Sequence, residues 1–183
     1  PAGNVIRDEL ERLARNTEHR AGYHRVSTPH ITKADLYFKS GHLPYYAEDM
    51  YAPMIIDEQE YYLRPMNCPH HHMIYAHDQW SYRDLPVRLS EYGQVYRHEA
   101  SGGLSGLMRV RGFCQNDAHI YCREDQAKDE FLNVMHMHAD YYRLFGIEDF
   151  WMRLSLPDFE NLEKYVDDVA GWKKALGILK QAM

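Results

Sequence analysis

The chain is 183 residues long, 45% of its residues are hydrophobic, and its formal net charge is −6. This length and apolar content are enough to bury the core of one domain, whereas the negative charge argues against a surface that grips nucleic acid over a large area. The sequence has no apolar run that could cross a bilayer, and Pro1-Ala-Gly-Asn4 lacks the charged and apolar regions of a signal peptide, so we expect a cytoplasmic protein. Its three cysteines form no secreted disulfide pattern and are expected to be free thiols or metal ligands.

Periodicity and turn residues predict the elements in chain order. The first half is predicted to contain a helix with Ile6, Leu10 and Leu13 on one face that ends near Gly22, a strand at 26–29, a hairpin of 54–56 and 61–63 around a turn at 57–59, and a helix that begins at Pro69. The second half is predicted to contain a central hairpin of 87–99 and 108–122, a long helix that opens at 123–126 and ends at Gly146, and a strand with Phe150, Met152, Leu154 and Leu156. Hairpins flanked by helices indicate an α+β fold built on a mixed, largely antiparallel β-sheet.

The second strand of the central hairpin carries the most informative pattern. Side chains alternate between the two faces of a strand, and one face is predicted to present Arg109, Arg111, Phe113, Gln115, Asp117 and His119. The other face is predicted to present Val110, Cys114, Ala118, Ile120 and Cys122. On the facing strand, Arg97 and Glu99 share a face, and a Gly-rich loop follows them. Guanidinium groups bind phosphate and a flat ring can stack on a base, so the pattern indicates a nucleotide site. The alternative is an exposed hairpin whose charges face solvent.

Several segments resemble a known family. Arg97-His-Glu99, the Gly/Ser-rich loop and Arg109-Val-Arg-Gly-Phe113 are together similar to motif 2 of the class II aminoacyl-tRNA synthetases. The continuation Cys114-Gln-Asn-Asp-Ala-His-Ile-Tyr121 narrows the resemblance to threonyl-tRNA synthetases, and Leu63-Arg-Pro-Met-Asn-Cys-Pro-His-His-His72 resembles the block that supplies their cysteine zinc ligand. Gly22-Tyr-His-Arg-Val-Ser-Thr-Pro29 resembles motif 1, so the likeness covers nearly the whole chain.

The resemblance implies a role for each matching residue. ATP, with Mg²⁺, would be bound by Arg97, Glu99, Arg109 and Phe113, threonine by Met66, Gln115 and Asp117, and catalysis would rest on Arg97 and Gln115. The implied reaction is formation of threonyl-adenylate followed by transfer of threonine to the terminal ribose of tRNA(Thr). Because the substrate carboxylate itself attacks phosphorus, the enzyme chiefly positions groups and neutralises charge.

The resemblance also implies a zinc ion that holds the amino and hydroxyl groups of threonine. Its ligands would be Cys68 and His119, with a third ligand, a histidine, in a part of the family's domain that this chain lacks. Zinc accepts thiolate and imidazole, and a catalytic zinc keeps one position open for substrate. His70, His71 and His72 lie beside Cys68 and offer a self-contained structural site as an alternative. We interpret His71 as structural.

At the level of the whole protein, residues 1–183 are expected to be part of a class II catalytic domain that contains motifs 1 and 2 but neither motif 3 nor the anticodon-binding domain. The isolated chain would then be inactive, and its parent enzyme is expected to be a homodimer joined through motif 1, whose proline matches Pro29. Two alternatives stay open: another class II enzyme, such as a seryl, prolyl or histidyl synthetase, and a synthetase-derived binding or regulatory module without catalysis.

Overall fold

The computed structural model describes residues 1–159 and 168–182. The chain divides into two compact units, Pro1–Tyr121 and Cys122–Met183. The first unit contains α1 (Ala2–Arg20), β1 (His24–Arg25), β2 (Ile31–Lys33), α2 (Ala34–Lys39), α3 (His42–Tyr45), β3 (Met54–Ile56), β4 (Gln59–Leu63), α4 (Cys68–His77), β5 (Val87–Tyr96) and β6 (Gly112–Tyr121). The second contains α5 (Ala127–Leu144) and α6 (Val169–Ala182). Among these helices, none has the length and apolar character needed to span a membrane.

The first unit is built on two three-stranded sheets. In one, β5 is the central strand, and it pairs with β1 in parallel and with β6 in antiparallel register from Val87 opposite Tyr121 to Tyr96 opposite Gly112. In the other, β4 lies between β2 and β3, and both pairings are antiparallel. The predicted α+β fold with a mixed, largely antiparallel sheet is therefore confirmed.

The second sheet packs against the short helices α2 and α3, which connect β2 to β3. Tyr37 of α2, Leu43 of α3, Met50 and Tyr62 of β4 form one buried hydrophobic cluster. The β3–β4 hairpin has a two-residue turn in which Asp57 and Glu58 both have positive φ, a conformation that matches the twist of the flanking strands. The hairpin predicted at this position is confirmed.

The strand predicted at 26–29 is wrong, because the observed strand, β1, ends at Arg25. One more backbone bond follows, from the Val26 amide to the Ser90 carbonyl. At Thr28, however, the amide and the hydroxyl both donate to the buried carboxylate of Glu91, over 2.9 and 2.8 Å. The Thr28 amide, which a longer strand would use to bond its neighbouring strand, therefore donates to the Glu91 side chain instead.

In the second unit, the predicted long helix is confirmed as α5. The turn Glu124–Gln126 leads into it, and Gly146 follows its end with φ of 72°. The strand predicted from residue 150 to residue 156 is wrong, since this segment has no regular secondary structure. Phe150, Met152 and Leu154 are half-buried and alternate with exposed residues as the pattern requires. The alternation of apolar and polar residues produces one buried face, but a β-strand also needs a neighbouring strand. Within the described ranges, no strand pairs with this segment.

Candidate functional site

The predicted functional face of the central hairpin is partly covered. Arg109 and Arg111 precede β6, which begins at Gly112. Along β6 the face is continued by four half-buried side chains, Phe113, Gln115, Asp117 and His119. The alternate residues Cys114, Asn116 and Ala118 are exposed. The functional groups therefore face the protein, where the segment that leads into α4 contacts them, and the small residues face outward.

A metal-binding group forms where α4 meets β6. The Cys68 sulfur, a carboxylate oxygen of Asp117 and a ring nitrogen of His119 all lie within 4.8 Å of one another. Pro69 stands in the first turn of α4, where its missing amide hydrogen costs no helical bond, so the helix can begin at Cys68. Cys68 and His119, distant in the sequence, are thus brought together, and Asp117 joins them as a third possible ligand.

The chemistry of these three groups suits zinc. Thiolate, imidazole and carboxylate are its usual protein ligands. Burial lowers the pKa of His119, which keeps the ring neutral as a ligand must be. Burial raises the pKa of the Cys68 thiol, and the charge of Asp117 raises it further. A cation that binds here would therefore displace the thiol proton.

Asn67 supports Asp117 from the start of α4. Asn67 is fully buried, and its Nδ2 donates a hydrogen bond of 3.1 Å to Oδ2 of Asp117. Its Oδ1 has no hydrogen-bond partner in the described part of the chain. The amide lies directly over Gly93 of β5, where a Cβ atom would overlap it. A glycine is required at this position so that Asn67 can reach Asp117.

Substitution of Gly93 by alanine should displace Asn67 and loosen the metal group. We expect the free energy of unfolding to fall by about 1–3 kcal/mol, as overpacking in a core typically does, together with a loss of zinc affinity. Chemical denaturation and zinc titration measure the two effects. Gly102→Ala is the control, because nothing lies within 4 Å of a Cβ atom at that position. Unchanged stability and zinc affinity in Gly93→Ala would contradict this account.

His119 is held by a buried chain of hydrogen bonds. Its Nδ1 lies 2.9 Å from Nδ1 of His71, and Nε2 of His71 lies 3.1 Å from Oε2 of Glu91. Burial raises the pKa of Glu91, but the bonds from Thr28 and His71 and the charge of Arg64 outweigh burial and hold the pKa below its usual value. Glu91 is therefore an ionised carboxylate inside the protein.

The residues predicted to bind the nucleotide lie at the loop end of the hairpin, where β5 and β6 are connected. The Arg97 guanidinium stands over the Phe113 ring, 5.2 Å from its centre, and Nε of Arg97 donates to the Pro65 carbonyl over 3.4 Å. Glu99 and Arg109 contact each other through an ion pair of 2.8 Å. The Arg109 side chain is 62% exposed, so this pair can open without disturbing a core.

The other predicted residues are Gln115, Met66 and Arg111. Gln115 pairs with Gly93 in the ladder and stands between Phe113 and Asp117 on the same face. The Met66 sulfur lies 3.4 Å from Nε2 of His42. Arg111 has a supporting position, since its guanidinium donates twice to the Glu99 carbonyl, over 3.1 and 3.0 Å.

Three supporting residues were missed from the sequence: Asn67, Glu91 and Gly93. Glu91 left a signal, because it interrupts an otherwise apolar face of β5 formed by Val87, Leu89 and Val95, all buried. A carboxylate on such a face is rarely buried unless it is paired. Asn67 and Gly93 left none, since their contact depends on the approach of two distant segments.

Comparison with known proteins agrees with this geometry. Over all 183 residues the chain is 50% identical to the threonine–tRNA ligase of Listeria welshimeri and 52% identical to that of Staphylococcus aureus. It spans only 29% and 28% of the length of these relatives. The structure of the RNA-binding domain of threonyl-tRNA synthetase from Cryptosporidium parvum superposes with a TM-score of 0.86 at 36% identity, over 100% of this chain and 44% of that one.

The family model of the class II tRNA synthetase core domain, which serves the glycine, histidine, proline, serine and threonine enzymes, matches residues 51–179. The match includes β5, β6 and the residues of the metal group. The chain therefore belongs to the class II tRNA synthetase core-domain family.

Proposed function

We propose that residues 1–183 are the part of a threonyl-tRNA synthetase catalytic domain that binds ATP and threonine and carries motifs 1 and 2. The observation that carries this proposal is the group of Cys68, Asp117 and His119 on the same strand face as Phe113, with Arg97 beside that ring. The identity of about half with two threonine–tRNA ligases supports the choice of threonine among the family's amino acids.

At the metal end, Cys68 and His119 would hold zinc, which supplies a Lewis acid for the amino and hydroxyl groups of threonine. Asp117 would accept a hydrogen bond from the threonine hydroxyl, and the bond from Asn67 would hold the carboxylate in place. Met66 and Gln115 would contact the rest of the amino acid. This arrangement selects a substrate that has both an amine and a neighbouring hydroxyl.

At the nucleotide end, Arg97 would bind the α-phosphate of ATP and the threonine carboxylate, which brings the two reacting groups together. Phe113 would stack on the adenine. Glu99 would release Arg109 from their ion pair so that Glu99 meets the adenine amino group and Arg109 meets the far phosphates with Mg²⁺. The threonine carboxylate attacks the α-phosphorus and pyrophosphate leaves. Gln115 and Arg97 would stabilise the charge that develops.

The whole protein would then transfer threonine to tRNA(Thr). We infer a cytoplasmic location, which the free thiols of Cys68 and Cys114 support, since reducing compartments keep thiols from forming disulfides.

A hybrid enzyme tests the proposed function. In it, this chain replaces the matching 29% of the Listeria welshimeri threonine–tRNA ligase. We expect threonine-dependent pyrophosphate exchange and bound zinc, and we expect Cys68→Ser and His119→Ala to lower both together. Cys114→Ser is the matched control, because that cysteine is exposed on the opposite face of β6. Exchange that prefers serine or proline would show another enzyme of the class, and a folded hybrid without exchange would favour a non-catalytic module.

We also propose that the chain forms a homodimer through motif 1. The helix α1, which leads into motif 1, supports this with an exposed apolar side, because Val5, Ile6 and Leu10 are 60%, 60% and 45% exposed. Sedimentation equilibrium should show a dimer, and Ile6→Asp should shift it toward monomer. Ile55→Asp serves as control, because Ile55 is 66% exposed but lies on β3. A monomer at all concentrations would contradict the proposal.

A further inference from the structure

His71 occupies an unusual place for a histidine. It is fully buried on α4, and each ring nitrogen has one partner, Glu91 on Nε2 and His119 on Nδ1. It is not among the three residues of the metal group. A neutral buried histidine has one N–H donor and one acceptor nitrogen. When it bridges a carboxylate and a second imidazole, its bond to the carboxylate decides whether it donates to that imidazole or accepts from it.

Glu91 sets the direction of the hydrogen bonds that run through His71 to His119. An ionised carboxylate can only accept, so Nε2 of His71 carries a hydrogen and donates it. When His71 is neutral, its Nδ1 has a lone pair and must accept from Nδ1 of His119. The single hydrogen of His119 then stands on Nδ1. Its lone pair stands on Nε2, the nitrogen that remains available to a metal ion.

The Glu91 carboxylate is itself held in a defined orientation. The Thr28 amide and Nη1 of Arg64 donate to Oε1, over 2.9 and 3.1 Å. The Thr28 hydroxyl and His71 share Oε2. Arg64 is 1% exposed and Glu91 2% exposed, so water does not compete for these bonds. The bonds from Thr28 and Arg64 therefore hold Oε2 in a fixed position from which it orients His71.

We propose that His71, oriented by Glu91, is a positioning residue that keeps His119 in the tautomer whose Nε2 lone pair binds the zinc ion. This inference rests on the zinc site of the proposed function and adds to it the residues that prepare the ligand. Partners of this kind commonly change metal affinity by 10- to 100-fold, about one to two orders of magnitude.

The substitution Glu91→Gln tests the direction of these hydrogen bonds, because glutamine has almost the same shape as glutamate. Because the Thr28 amide and Arg64 both donate to Oε1, the glutamine oxygen takes that position. The glutamine amide group then faces His71 and the Thr28 hydroxyl, which turns to accept from it. The amide donates to Nε2 of His71, which moves the His71 hydrogen to Nδ1 and forces that of His119 to Nε2. Glu18→Gln is the matched control, since Glu18 is also a buried carboxylate bonded to β6, through Asn116, but does not touch His71.

The measurements are two-bond ¹H–¹⁵N spectra of the histidines in the metal-free chain and a zinc titration of the hybrid enzyme. We expect His119 to carry its hydrogen on Nδ1 in the unmodified chain and in Glu18→Gln, and on Nε2 in Glu91→Gln, with zinc affinity about 10- to 100-fold lower in Glu91→Gln alone. His119 protonated on Nε2 in the unmodified chain would overturn the proposal, even if Glu91→Gln failed to fold. Equal zinc affinity in folded Glu91→Gln would also overturn it. A lack of zinc binding by the unmodified hybrid enzyme would instead refute the metal site of the proposed function, and the spectra would still decide the positioning role.

Discussion

Replacement of Asp117 by alanine should lower the preference of the hybrid enzyme for threonine over valine by about 100-fold. The two amino acids have nearly the same shape, and an apolar pocket separates such isosteres by only about 100-fold. A site built to bind a hydroxyl separates them much better, because its polar groups lose their partner when valine enters. Asp117 is the carboxylate that would be that partner, and Asn67 is bonded to its Oδ2.

Pyrophosphate exchange with each amino acid measures this preference, and bound zinc is measured on the same samples. We expect Asp117→Ala to keep its zinc, because Cys68 and His119 remain. Loss of zinc together with the preference would identify Asp117 as a metal ligand, the second role that its position in the group allows. Asp125→Ala is the control, since the Asp125 side chain is 70% exposed in the second unit. An unchanged preference in Asp117→Ala would refute its role in recognition.

Replacement of Arg97 by alanine should lower kcat for threonyl-adenylate formation by about 10²- to 10³-fold, the usual cost of removing one preorganised donor from a developing charge. The guanidinium is held in place over Phe113, and it would bond the α-phosphate and the threonine carboxylate at once. Lysine has the charge but not the planar pair of donors. We therefore expect Arg97→Lys to recover only a small part of the rate.

Stopped-flow or exchange kinetics measure kcat and KM separately, and the effect should lie mainly in kcat because the charge grows in the transition state. Arg143→Ala removes an exposed arginine of α5 and should change neither quantity. A variant Arg97→Ala with normal kcat and raised KM would show that Arg97 only binds ATP. That result would leave the metal end of the site unaffected.

Features that depend on neighbours in the chain could be predicted from the sequence. The apolar spacing of α1 and α5, the turn at Asp57 and Glu58, and Pro69 in the first turn of α4 each act within a few residues. The alternation of β6 is equally local, so the shared face of Phe113, Gln115, Asp117 and His119 followed from the two-residue period of a strand. The resemblance to class II synthetases then named their roles.

Features that depend on contacts between distant segments were decided only by the tertiary structure. β1 ends before Thr28 because the Thr28 amide donates to the Glu91 side chain. The segment that starts at Phe150 has no strand partner within the described ranges. The bonds from Glu91 through His71 to His119 join three elements, α4, β5 and β6. Periodicity shows which side of an element is buried, but it does not show which buried groups meet. Hydrogen bonds need both partners at a defined distance, and only the packing of the elements sets that distance.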